Sequence, residues 1–169
     1  MAAEKTIAIA ADHAGFRLKA VIKDELESLG YVVLDLGTDG PDSVDYPDYG
    51  DAIALALKDR AAPRGIIVCG TGIGIAIAAN RHPHVRAAVC HDVTTARAAR
   101  QHNDANVLAL GARIVGEQVA KDCLHEFLTV SYEGGRHDRR VAKLGRVQAL
   151  DAPRQEPDSR ATGRADAVT

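Results

Sequence analysis

Five short apolar runs, each followed by a longer stretch of helical periodicity, predict an α/β fold in which a five-stranded parallel sheet carries helices on both faces. The runs are "TIAIA" (6–10), "YVVLDL" (31–36), "GIIVC" (65–69), "RAAVC" (86–90) and "NVLAL" (106–110). They are apolar nearly throughout rather than alternating, so both faces of each strand are expected to be covered. A chain of 169 residues with 46% apolar content suits one domain with an ordinary core.

After the first run, Leu18, Val21, Ile22, Leu26 and Leu29 recur at three- and four-residue spacings with charges on the opposite face, and Gly30 stands where a left-handed residue closes a helix. Further helices are expected near 48–59, 72–81, 93–101, 116–129 and 135–146. After Val147 the segment "QALDAPRQEPDSRATGRADAVT" has two prolines, few bulky apolar residues and no period. It cannot offset the entropy of ordering, so the chain divides into a domain over 1–147 and a flexible tail over 148–169.

A formal charge of −2, from 21 basic and 23 acidic residues, gives no general reason to bind nucleic acid or an anionic membrane. The N-terminus "MAAEKTIAIAAD" does not read as a secretory signal, and a cytoplasmic location is expected. Cys69, Cys90 and Cys123 are odd in number and lack C-x-x-C spacing, which predicts free thiols. His82 and His84, in "NRHPHV", lack a third ligand, and no metal site is expected.

Ligands of open parallel sheets bind beyond the carboxyl ends of the strands, so the residues after each run are the candidates for chemistry. The first run leads to Asp12 and His13, the third to Cys69 and "GTGIG", the fourth to Cys90, His91 and Asp92, and the fifth to Arg113. Acid, base, thiol and cation would share one rim. Gly70, Gly72 and Gly74 permit close backbone approach, and the helix they open would direct N–H groups at an anion. The spacing is not a dinucleotide fingerprint, since Ile75 or Ile77 stands where a third glycine is needed. A ligand-free turn is the other reading of this loop. Cys69 likewise admits two readings: a thiol activated by the adjacent helix start, or a small core hydrophobe. Asp12 can be a helix N-cap, and His102 and Asn103, in "ARQHNDAN", can be a helix end. Arg136 and Arg140 lie four apart, a spacing that suits a phosphate grip or a solvated helix face.

In order, "ADHAGF", "DYPDYG", "CGTGIGIAIAANR", "ARQHNDANVLALGARIVG" and "YEGGRHDRRV" resemble the sugar-phosphate isomerase family that contains ribose-5-phosphate isomerase B, over residues 6 to about 147. The resemblance implies a Rossmann-like α/β/α subunit and a cofactor-free, metal-free aldose–ketose isomerase of the pentose phosphate pathway. Its partner would be a small sugar phosphate, and the subunits would form a homodimer with shared active sites, with a tetramer as the larger alternative. Cys69 then matches the base that moves the carbon-bound proton, and His102 the group that protonates the ring oxygen. Asp12 and His13 match a substrate-binding pair, with Asp12 also assisting ring opening. Gly70, Thr71, Gly72, Ile73 and Gly74 match the loop that holds the enediolate, and Thr71 is also a candidate for proton exchange between oxygens. Asn103, Arg113, Arg136 and Arg140 match sugar and phosphate contacts, and Tyr46 lines the pocket. A family branch that uses glutamate after the glycine loop would carry it at Ile75, so this chain groups with the cysteine branch.

Three rivals remain at the level of sequence: an isomerase of allose 6-phosphate or galactose 6-phosphate, a thiol phosphatase, and a non-catalytic sugar-phosphate sensor. The phosphatase lacks its arginine five residues after the cysteine, because position 74 is Gly74 and position 75 is Ile75.

Overall fold

The computed structural model describes residues 5–146. The proposed tail, and residues 1–4 and 147 of the proposed domain, lie outside these. Five parallel strands, β1 (Thr6–Ala11), β2 (Val32–Asp35), β3 (Arg64–Cys69), β4 (Ala87–Val89) and β5 (Val107–Gly111), stand in the order β2-β1-β3-β5-β4. The helices between and after them are α1 (Phe16–Ser28), α2 (Tyr46–Lys58), α3 (Ile73–Ala79), α4 (Val93–Asn103), α5 (Glu117–Thr129) and α6 (Asp138–Leu144). Among the described residues, no helix is long and apolar enough to cross a membrane.

The two faces of the sheet are built differently. Ile7, Ile9, Ile66, Val68, Leu108 and Leu110 point to one side, where they bury Leu18, Ile22 and Leu26 of α1, Ala96 and Ala99 of α4, and Leu124 and Phe127 of α5. The alternate residues, Ala8, Ala10, Ile67, Cys69 and Ala109, face α2 and α3. Small side chains on that face draw the helices in. A Cβ on Gly65 would lie 2.8 Å from Ile53 Cγ2, and one on Gly50 would lie 2.9 Å from the Ile75 carbonyl oxygen and 3.1 Å from the Ala79 nitrogen. Backbones of α2 and α3 therefore meet without intervening side chains.

Burial on both faces holds for β1, β3 and β5 but not for the edges: β2 and β4 are half-buried, and Val32 is 60% exposed. Position in the sheet overrides the apolar run here, because an edge strand lacks a neighbour on one side. Gly30 has φ +79°, as its place after α1 requires. Asp92 accepts from the Thr95 amide at 2.8 Å in a reciprocal capping box at the start of α4, which accounts for it without a role at the rim. The expected helix over 135–146 divides into a single 3-10 turn, Gly135–His137, and α6. Gly134 and Gly135 both have positive φ, and the chain must complete that turn before an α-helix can start.

Gly50→Ala supplies a sharp check on the α2–α3 contact. In an ordinary helix this change stabilises by about 0.5–1 kcal/mol. Here it should destabilise by about 1–3 kcal/mol through overpacking against immovable backbone. Denaturant unfolding reads the sign.

Candidate active site

The strands β1 and β3 are neighbours, yet β1 leads into α1 on one face and β3 into α3 on the other. This divergence opens a crevice at the strand tips. Gly15 closes the approach of α1 to β3, since its Cβ would stand 2.5 Å from the Val68 oxygen. Asp12 sits in the crevice wall, 5% exposed; its amide donates to the Val68 carbonyl at 3.2 Å and its Oδ1 accepts from the Gly15 amide at 2.9 Å. It thus closes the turn before α1 rather than capping the helix itself. The segment 37–45 returns to the same tip through Ala11, whose amide donates to the Gly37 oxygen and whose oxygen accepts from Thr38. There His13 Nδ1 lies against the main chain of Val44, 3.2 Å from its amide and 3.3 Å from its carbonyl oxygen.

Cys69 ends β3 opposite Gly111 of β5. Its Sγ accepts the Gly72 amide at 3.1 Å, and the residue is 4% exposed at the foot of the glycine loop. Gly72 has φ +79°, and this left-handed turn aims its N–H back at sulfur. The loop lies flat on β5: a Cβ on Gly111 would be 2.6 Å from the Thr71 oxygen, the Ala112 amide donates to the Cys69 carbonyl at 2.9 Å, and the Arg113 amide donates to the Gly70 carbonyl at 3.0 Å. Arg113 is exposed, with Nη1 3.6 Å from where a Gly70 Cβ would be. Thr71 is exposed and its Oγ1 accepts from the Ile73 amide at 3.3 Å. The Tyr46 ring lies on Gly74, whose Cβ would meet it at 2.7 Å. Asp12, His13, Tyr46, Cys69, Thr71, the loop glycines, Ile73 and Arg113 are therefore brought together. Cys90 and Cys123 are apart from them in the opposite core layer. Burial pushes the Cys90 thiol up to about 12 and the Cys123 thiol to about 11.

The other candidates lie elsewhere. Helix α4 runs back against the strands, and just after its end the Asn106 carbonyl accepts from Gly65 at the start of β3. Four residue steps of about 3.3 Å from Gly65 to Cys69 place that end roughly 13 Å from the Cys69 tip. His102 and Asn103 are at this lower end. Arg136 and Arg140 belong to the segment that joins them there, held by the Glu133 amide donating to the Gln101 carbonyl at 3.0 Å. Asn103 and Leu144 share a groove of about 320 Å³ beneath β4. One chain thus carries two half-sets of candidate residues at opposite ends of its sheet.

Sequence reasoning missed Glu133 and His137, which accompany His102. The His102 and His137 rings are stacked, with centroids 4.6 Å apart and planes 9° from parallel, and Glu133 Oε2 is 3.9 Å from each Nε2. Three ligand atoms within 4.8 Å of one another invite a metal reading. Parallel rings do not fit it, because an ion between them would stand out of both ring planes, away from the nitrogen lone pairs. Burial, then the positive charges of His102, Arg136 and Arg140, hold the His137 pKa below the ordinary imidazole range.

Residues 7–144 match the model of the family described as Ribose/Galactose Isomerase. The chain belongs to this family. Ribose-5-phosphate isomerase B of Escherichia coli is 44% identical over 144 residues, 85% of this chain and 97% of that protein. D-erythrulose-4-phosphate isomerase of Pectobacterium atrosepticum is 44% identical over 142 residues, covering 83% and 93%. The solved ribose-5-phosphate isomerase B of Clostridium thermocellum superposes with a TM-score of 0.82 at 51% identity, over 83% of this chain and 95% of that one. A sugar-phosphate isomerase family membership agrees with the α/β architecture and with a crevice that joins a thiol, a carboxylate and a cation.

The environments of the three thiols predict their order of alkylation. Iodoacetamide at neutral pH should modify Cys69 first, with Cys90 and Cys123 reacting only on unfolding, because thiols titrating at about 12 and about 11 hold little thiolate. Peptide mass mapping of the native protein gives that order, and earlier labelling of Cys90 would contradict it.

Proposed function

We propose that the protein is a metal-free aldose–ketose isomerase that interconverts ribose 5-phosphate and ribulose 5-phosphate through an enediolate. Its setting on this reading is the pentose phosphate pathway in the cytoplasm. The observation that carries the reading is the Cys69 sulfur, held as an acceptor by the Gly72 amide at the root of a glycine loop, beside Asp12 and Arg113. The sulfur is thereby held at the loop whose amides would meet the charge on oxygen, where a base for the carbon-bound proton is needed.

The steps follow from these placements. Ribose 5-phosphate is a ring, and His102 protonates the ring oxygen as Asp12 assists opening to the aldehyde. Cys69 then removes the proton from C2, and the C–H electrons pass into the C1–C2 bond as the carbonyl electrons move to O1. The charge on oxygen is met by the loop amides, and donors of this kind are typically worth about 10²–10³ in rate each. Gly72 and Ile73 already point their amides within the loop, so an oxyanion here shares or displaces local acceptors. Asp12 or Thr71 transfers a proton between O2 and O1, and Cys69 returns its proton to C1. Arg113, Arg136 and Arg140 bind the phosphate with His13, while Asn103, Ile73 and Tyr46 line the sugar. Binding energy at the phosphate then positions carbons remote from it.

Because the two half-sets lie at opposite ends of the sheet, the reading requires a homodimer in which His102, Asn103, Arg136 and Arg140 of one subunit complete the crevice of the other. A second reading, a shorter or longer sugar phosphate as substrate, is favoured by the tetrose-phosphate isomerase among the relatives. Competition between four-, five- and six-carbon sugar phosphates decides between them.

Incubated with ribose 5-phosphate in deuterated water containing a chelator, the protein should give ribulose 5-phosphate with carbon-bound deuterium by NMR. Cys69→Ala should keep binding and lose about 10²–10⁴-fold in turnover. Full activity in that variant would return Cys69 to the core, and loss of activity to the chelator would overturn the metal-free mechanism.

Subunit sharing has its own test. Cys69→Ala and His102→Ala subunits, each nearly inactive alone, are co-expressed and purified together. Random pairing gives mixed dimers with one intact site, so activity should recover to about a quarter of the wild-type level under two-fold symmetry. A site confined to one chain would show no recovery.

A further inference from the structure

We propose that His137 is a positioning residue for His102: a strap pinned to the end of α4 lays the buried His137 ring parallel to the His102 imidazole and fixes the plane in which that imidazole meets substrate. This rests on His102 acting at the ring oxygen.

Four observations converge on the pair. The strap is tied by the Glu133 amide to the Gln101 carbonyl at 3.0 Å, one residue before His102. The two rings are 4.6 Å apart and nearly parallel, as an offset stack requires. They are unequal in exposure, the His137 side chain at 8% and the His102 side chain at 42%, so one ring is set in the fold and the other faces outward upon it. Finally, His137 Nε2 accepts from Arg136 Nε at 3.2 Å. That nitrogen has no proton to give, and His137 is a support for an acid rather than a second acid.

The charges around the stack agree with this division. Glu133 stands 3.9 Å from both Nε2 atoms, too far for a direct hydrogen bond, and its charge acts to raise the pKa of the buried His137 ring. Burial acts on the His137 ring in the opposite sense, followed by the charges of His102, Arg136 and Arg140, and together they lower its pKa. An uncharged ring can lie beneath a protonated His102 without repelling it. The helix end that bears His102 is itself clamped, since Asp104 accepts from Arg86 Nη2 at 2.8 Å and from Arg100 Nη1 at 3.0 Å.

Two reactions of the same enzyme separate this role from general structural support. Ribose 5-phosphate must be opened before it isomerises. Ribulose 5-phosphate is already open, because its C5 oxygen is esterified and cannot close on C2. Solvent deuterium enters C1 of ribulose 5-phosphate through the enediolate alone, without any ring-opening group. His102→Ala should therefore reduce conversion of ribose 5-phosphate while sparing C1 exchange. His137→Ala should show the same split, with conversion down about 10- to 100-fold, a part of what general acid–base catalysis supplies. His137→Phe keeps a flat ring in place and should restore conversion to within about 3-fold, since stacking is what an aromatic replacement retains. Equal loss of conversion and exchange in both His137 variants, or no loss in either, would overturn the proposal. If His137→Ala does not fold, a His137→Phe protein that exchanges normally but converts as poorly as His102→Ala would also overturn it. Absence of the split in His102→Ala itself would instead sink the reading of His102 and, with it, the inference that depends on it.

Discussion

The hydrogen bond from the Gly72 amide to the Cys69 sulfur depends on backbone touching backbone on either side of it. Gly111 lets the Thr71 carbonyl rest on β5, and Gly15 lets α1 start directly above the Val68 carbonyl. Any side chain at either place would lift the glycine loop or the Asp12 turn away from the strand tip. The thiol, the carboxylate and the cation are then neighbours because three strand ends are packed at main-chain distance. Asp12 and Cys69 are both nearly buried, and it is this packing, rather than hydration, that holds them in register.

The molecule spends its polar interactions asymmetrically. At the upper end, hydrogen bonds shape the loop and leave Arg113 exposed. At the lower end, Asp104 gathers Arg86 and Arg100, and Arg64 Nη1 donates to the carbonyls of Phe127 and Leu128. These bonds consolidate a surface that presents His102, Asn103, Arg136 and Arg140 outward. On the proposed reading, a surface so fixed and so far from the Cys69 crevice of its own chain is suited to serving a neighbouring subunit.

Much of this was legible in the sequence. Uniformly apolar runs located all five strands, and the spacing of Leu18, Ile22 and Leu26 with Gly30 beyond them located α1 and its end. The strand tips led to Asp12, Cys69 and Arg113 because ligand crevices of parallel sheets form there. Edge exposure of β2 and β4 was not legible, since apolar content does not report a strand's place in the sheet order. Asp92 looked like a rim acid because its capping bond to Thr95 is only one of the things an aspartate can do after a strand. Glu133 and His137 were passed over because the pairing with His102 spans more than thirty residues of sequence, and periodicity carries no information at that range. The "EGGRH" string itself was visible, and the two glycines that turn the chain were its signal.

The union of α2 and α3 through Gly50 bears on how such a pocket changes its preference. Tyr46 stands in the first turn of α2 and Gly74 in the first turn of α3, and two helices in main-chain contact shift as a single body. The wall they form cannot widen by sliding one past the other. A family built on this scaffold would adjust to sugars of different length by exchanging the side chains at positions such as 46, 73 and 77, leaving the skeleton beneath them unmoved.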